Sequence, residues 1–258
     1  MNAMTNFSKP EIQETNRFCE IHKERMILVA GRDFCKTCAI NAVQKAQAEH
    51  MVAVNASVRE KHFAGALLPD RHAESGFKNY DVTHEGQRDA KAACHAYAKD
   101  FNNPEIKQKR NLIMYGRTGT GKTHLACAIA RNVLDKRSYA RYVTSEDMAN
   151  EIASAWKKTD DSEASAVFRF TDYDLLIIDE YGLHDQHESR LQLVHKVLYS
   201  RYDAKKPTVL ISNMSLESTD KAQGLKENLG DRLWSRFQHD GLTVVECNWA
   251  DNRVGGGL

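Results

Sequence analysis

One run of eight residues limits the folds open to this chain more than any other: Gly116-Arg117-Thr118-Gly119-Thr120-Gly121-Lys122-Thr123. A short apolar run, Leu112-Ile113-Met114-Tyr115, precedes it, and a helix-like run from His124 to Leu134 follows. Strand, glycine loop and helix in that order make a phosphate-binding loop. Gly116, Gly119 and Gly121 let the backbone curl until successive N–H groups face one phosphate chain. The N-terminus of the following helix adds partial positive charge at the same point. In such a loop Lys122 reaches the β- and γ-phosphates of ATP and the Thr123 hydroxyl ligates Mg²⁺. The expected nucleotide-binding set therefore runs from Gly116 and Arg117 through Thr118, Gly119, Thr120, Gly121, Lys122 and Thr123 to His124.

Further strands alternate with helical patterns. Tyr139–Val143 reads as a strand, with Thr144 or Ser145 capping a helix that carries Met148, Ile152, Ala155 and Trp156. Leu175-Leu176-Ile177-Ile178 is continuously apolar, as a strand buried on both faces must be. A helix is expected over about 186–203, a strand over Pro207–Asn213, a helix over Asp231–Phe237 and a last strand over Thr243–Glu246. That alternation predicts an α/β fold with a parallel sheet flanked by helices. Asp179 and Glu180 close the apolar strand, beside the glycine loop where ligands bind in such sheets. Asp179 is expected to hold Mg²⁺ and Glu180 to polarise the attacking water, a pair that favours hydrolysis over simple nucleotide binding. Asn213, at the tip of the next strand, is placed to hydrogen-bond the water or the γ-phosphate. Phosphoryl transfer also needs positive charge as negative charge develops, and Arg232, Arg236 and Arg253 are the candidates. Ordinary surface ion pairing is the alternative for each arginine.

Ahead of this core, Cys19 and His22 are followed by Cys35 and Cys38, two ligand pairs of matching internal spacing. The set suits one tetrahedral Zn²⁺ in a structural role, with a strand over Met26–Val29 and a turn at Ala30–Asp33 folding one pair onto the other. Residues 39–62 lack Gly and Pro, and Ile40, Val43, Met51, Val54 and Val58 form a helical stripe that packs on the zinc module or binds a partner. The expected organisation is a flexible tail at 1–16, a zinc module with helix at 17–62, a linker at 63–80 and an ATPase domain at 81–258. The net charge of +1 excludes a global basic field, so any nucleic-acid contact is a local patch. No apolar run is long enough to span a bilayer, and cytoplasmic residence with reduced cysteines is expected.

These parts together resemble the DnaC/IstB-like group of AAA+ ATPases, and within it the replicative helicase loaders of the DnaC type. The resemblance rests on Ser75–Tyr80, the glycine loop, Leu175–Gly182, Thr208–Met214, Leu229–Arg236 and Asn248–Arg253. It implies an AAA+ core without a separate C-terminal lid. Asn213 then matches the first sensor residue, Arg236 the arginine finger acting on ATP held by a neighbouring subunit, and Arg253 the second sensor. It implies head-to-tail self-association into an ATP-dependent ring or helix, binding to the hexameric replicative DNA helicase through the N-terminal region, and contact with single-stranded DNA. Lys157, Lys158 and Arg169, near Trp156, Phe168 and Phe170, are the candidate DNA contacts. The same core serves transposition helpers of the IstB type, which act on duplex DNA, and a nucleotide-gated zinc adaptor is a third reading.

Overall fold

A computed structural model describes residues 13–107, 109–183, 188–239 and 241–250. The chain divides into two compact units, with the boundary between Val58 and Arg59.

In the first unit, strands β1 (Gln13–Phe18), β2 (Arg25–Val29) and β3 (Arg32–Phe34) form an antiparallel sheet in that order. Val29 pairs with Arg32 across Ala30 and Gly31, whose φ angles of 49° and 77° give the tight turn that matches strand twist. Gln13 and Glu14 belong to the stretch read as a loose tail, yet they pair with Leu28 and Ile27. A polar strand on an exposed sheet has no hydropathy signature, because backbone hydrogen bonds carry the pairing. Residues 1–12 of that expected tail lie outside the described residues. Helix α1 spans Lys36–Gly65, longer at both ends than the stripe suggested. Ile40, Val43, Met51 and Val54 on it are exposed, and His62 is its one buried residue.

The second unit holds the predicted parallel sheet. Its strands are β4 (Asn111–Gly116), β5 (Ala140–Thr144), β6 (Leu175–Tyr181), β7 (Thr208–Ser212) and β8 (Leu242–Cys247). They lie in the order β5-β6-β7-β4-β8, every pair parallel. The intervening helices are α2 (Glu85–Phe101), α3 (Lys122–Asp135), α4 (Ser145–Ala155), α5 (Glu163–Asp172), α6 (Glu188–Asp203) and α7 (Leu225–His239). Side chains alternate across each strand. Leu112, Met114, Ile177 and Val209 join one apolar layer with α2 and α3, whereas Ile113, Leu176, Ile178 and Leu210 join the other with α4, α6 and α7. Residues 63–80, read as a linker, contribute Ala66 and Tyr80 to the first of these layers. Their lack of periodicity hid this, since isolated anchor residues make no repeating pattern.

Arg201 on α6 is fully buried without a carboxylate. It donates to the carbonyls of Phe170, Thr171, Tyr173 and Pro207 and to Thr208 Oγ1, at 2.5–3.2 Å, and so ties the end of α5 to β7. Burial lowers its pKa to about 9, and the five contacts replace its hydration. Among the described residues no helix is long and apolar enough to cross a membrane.

Candidate functional site

All strands of the parallel sheet end on the same edge, and the glycine loop leaves β4 there. Gly116 has φ 125°, and a Cβ on it would lie 2.3 Å from the Cys247 carbonyl oxygen of β8. Gly121 has φ 86°, and a Cβ there would lie 2.8 Å from the Tyr80 ring. Larger residues at either point would displace the loop. The Thr120 carbonyl accepts from Tyr80 Oη at 3.1 Å and from Trp249 Nε1 at 3.0 Å, so two aromatic side chains from distant segments hold the loop. His124 Nε2 lies 3.0 Å from the Gly76 carbonyl oxygen, a third tie to the segment before α2.

A cavity of about 650 Å³ opens over the loop. That is within the range of small-molecule sites, roughly 300–1,000 Å³. Residues 118–124, Asp179, Glu180 and Asn213 line it, together with Arg71, His72 and Tyr142, which sequence reasoning did not single out. Lys122 Nζ donates to the carbonyls of Gly116 (2.8 Å) and Arg117 (2.6 Å). Thr123 Oγ1 and Tyr142 Oη both donate to Asp179 Oδ2 at 2.8 Å. Burial and then the Asp179 charge push the Tyr142 phenol up, so Tyr142 remains a neutral donor. A hydroxyl and a buried carboxylate in contact beside a lysine suit a nucleotide-bound divalent cation with oxygen ligands.

Consecutive residues of a regular strand face opposite sides of the sheet. Asp179 and Glu180 nevertheless line one cavity. The register of β6 on β7 steps from Ile178↔Leu210 to Tyr181↔Ser212, three residues against two, which is a bulge. Glu180 takes φ 58°, and its N–H donates to Asp179 Oδ1 at 2.7 Å. The bulge turns both carboxylates to the same side. Nothing in the residue pattern announces it.

Arg236 is not part of this cavity. β8 runs parallel to β4 from Asn111↔Leu242 to Gly116↔Cys247, and Arg236 on α7 precedes Leu242. It lines a groove with Lys109, Asn111 and Thr208, at the edge of the sheet where these strands begin. From Asn111 to Gly116 the strand itself covers about 17 Å. Arg232 is exposed. Arg253 lies outside the described residues.

Of the candidate DNA contacts, Phe170 is buried in the core and Arg169 is held by Asp161 through two bonds of 2.9 Å. Lys157, Lys158, Trp156 and Phe168 are exposed. These residues do not form one patch, because the 3.6-residue period of helix α5 sends Phe168 outward and Phe170 inward.

In the first unit the donor atoms of Cys19, His22, Cys35 and Cys38 all lie within 4.8 Å of one another. Cys19 and Cys38 Sγ are 3.7 Å apart, and His22 Nδ1 is 3.8, 3.4 and 3.3 Å from the sulfurs of Cys19, Cys35 and Cys38. A tetrahedral Zn²⁺ with bonds of about 2.0–2.3 Å needs donors roughly 3.4–3.8 Å apart. The donor set therefore fits zinc. The N–H groups of His22 and Cys38 point at Cys19 and Cys35 Sγ, and the His22 N–H draws the Cys19 thiol down to about 6. Glu24 was missed: it accepts from Cys35 Sγ (2.8 Å), Thr37 N (2.9 Å) and Thr37 Oγ1 (3.0 Å), bracing the turn into α1. Its place between the two ligand pairs, ahead of a helix start, was the available signal.

The family model described as IstB-like ATP binding protein matches residues 37–253. The replicative helicase loader DnaC of Escherichia coli strain K12 is 28% identical over 173 residues, 66% of this chain and 69% of that protein. The corresponding loader of Buchnera aphidicola subsp. Baizongia pistaciae is 27% identical over 187 residues, 72% of each chain. A crystal structure of the DnaC helicase loader superposes with a TM-score of 0.56 at 22% identity, covering 68% of this chain and 99% of that one.

Proposed function

The chain belongs to the IstB-like ATP-binding family, and we propose that within it this protein is an ATP-hydrolysing loader that delivers a hexameric replicative helicase to single-stranded DNA. One observation carries most of the reading: the best-placed candidate arginine and the phosphate loop stand at opposite edges of one sheet. A single subunit then has an incomplete site, and a head-to-tail assembly completes it with a neighbour's Arg236.

In this reading Lys122 and the loop N–H groups orient the β- and γ-phosphates. Thr123 and Asp179 hold Mg²⁺, whose charge offsets that developing on the phosphate oxygens. Tyr142 keeps Asp179 in its ligating position through the bond to Oδ2. Glu180 takes a proton from the attacking water, and Asn213 hydrogen-bonds that water or the γ-phosphate. Arg236 from the adjoining subunit stabilises the charge as it develops, so turnover follows assembly. Zinc held by Cys19, His22, Cys35 and Cys38 shapes the first unit. Beside that cluster Phe18, Ile21, Phe34 and Val43 line an apolar groove, a surface that suits a protein partner.

The test is light scattering of the protein mixed with its host's replicative helicase, with ATP, with ADP and with neither. A nucleotide-sensitive complex that Ile21→Asp with Val43→Asp abolishes is the expected result. No complex in any state, with ATP-dependent filaments on duplex DNA instead, would overturn the loader in favour of a transposition helper.

A further inference from the structure

Arg236 is held by aromatic rings. Its guanidinium carbon lies 4.7 Å from the centroid of Tyr199 and 4.8 Å from that of Tyr202. Both tyrosines stand on α6, three residues apart and hence on one helix face. Both distances fall inside the cation–π range of about 6 Å. Among the described residues the Arg236 side chain has no ion pair and no hydrogen bond. Other arginines of this unit do: Arg141 meets Glu151, Arg169 meets Asp161 and Arg190 meets Glu146.

The difference is chemical. A carboxylate takes up the N–H donors of a guanidinium and offsets its charge. An aromatic ring attracts the cation through its face, which limits the rotamers of a long side chain and leaves N–H donors at the guanidinium edge. The groove around Arg236 adds to this. Lys109, Lys205 and Lys206 line it, and among the described residues no acidic side chain does. Lys109 Nζ is taken up by the Asp100 and Asn103 carbonyls and Lys206 by Asp174, so these cations have partners of their own.

We propose that Tyr199 and Tyr202 are positioning residues for Arg236. They keep its guanidinium directed and open at its N–H edge for the γ-phosphate oxygens of a nucleotide held by the adjoining subunit. This rests on the reading of Arg236 as the residue that acts across subunits.

The experiment uses the full chain, at concentrations high enough to saturate assembly, and separates kcat from nucleotide affinity. For Tyr199→Leu with Tyr202→Leu, kcat falls roughly tenfold while the Kd for ATP stays within about twofold. Tyr199→Phe with Tyr202→Phe keeps the rings and most of the turnover. If the double leucine variant fails to fold by circular dichroism, the single variants carry the test, each expected at about a threefold loss of kcat. Leucine variants that turn over like the parent, while Arg236→Ala does not, overturn the positioning role and leave the cross-subunit reading intact. Parental turnover in Arg236→Ala removes that reading, and the positioning role with it.

Discussion

The two units bury their chains in opposite ways. In the second, the central strands are sealed: Leu112, Ile113, Leu175, Ile177, Val209 and Leu210 have no exposed surface. In the first, the buried residues among those described are Cys19, Ile27 and Cys35. Two of these three are candidate metal ligands. The second unit is held by a hydrophobic core of its own. The first resembles the small domains that lack the apolar surface to fold unaided and draw on a metal instead. Both present a candidate ligand site, but in one the fold supports the site, whereas in the other the donor cluster, with zinc bound, would support the fold.

Removing the metal is the strongest way to break this comparison. A chelator should collapse amide-exchange protection in β2 and β3 while β4, β6 and β7 stay protected. Structural zinc contributes on the order of 10–16 kcal/mol in small domains, more than such a unit has in reserve. Protection of β2 that survives metal removal would sink the idea that the cluster holds this unit together. A smaller effect sharpens the other side. Arg201→Met leaves Thr208 and the carbonyls of Phe170, Thr171 and Pro207 without their donor. It should cost about 3 kcal/mol in the second unit, read by urea denaturation, with zinc content unchanged. The smallest effect tests the site itself. Tyr142→Phe removes one of two hydroxyls on Asp179 Oδ2 and should weaken Mg²⁺-dependent nucleotide binding by about 1 kcal/mol, read by calorimetric titration. An unchanged Mg²⁺ dependence would show that the Thr123 hydroxyl and the Glu180 N–H suffice to orient Asp179.

Much of the second unit was legible because parallel strands covered on both faces read as unbroken apolar runs. Leu175–Ile178 and Val209–Ile211 needed no further clue. The glycine loop was legible because its chemistry demands glycine at fixed spacing. The less visible parts are single residues whose roles come from contacts remote in sequence. Tyr80 and Trp249 meet at one carbonyl 129 positions from the latter, Tyr142 reaches Asp179 across strands, and Glu24 braces a turn 13 residues ahead. Such contacts follow no period. Strand β1 escaped for a related reason, since pairing through the backbone leaves its polar side chains unmarked.

The amino-acid order by itself determined the α/β alternation, the phosphate loop and the residues that could serve as metal ligands. Each is a local rule of period, turn chemistry or spacing. Tertiary structure alone decided that a bulge brings Asp179 and Glu180 onto one cavity and that Arg236 stands at the edge of the sheet away from its own phosphate loop. It also decided that two tyrosines, rather than a carboxylate, hold that arginine. The reason is geometric: strand register and helix packing fix where a side chain ends up, and both arise from contacts between segments that no local pattern records.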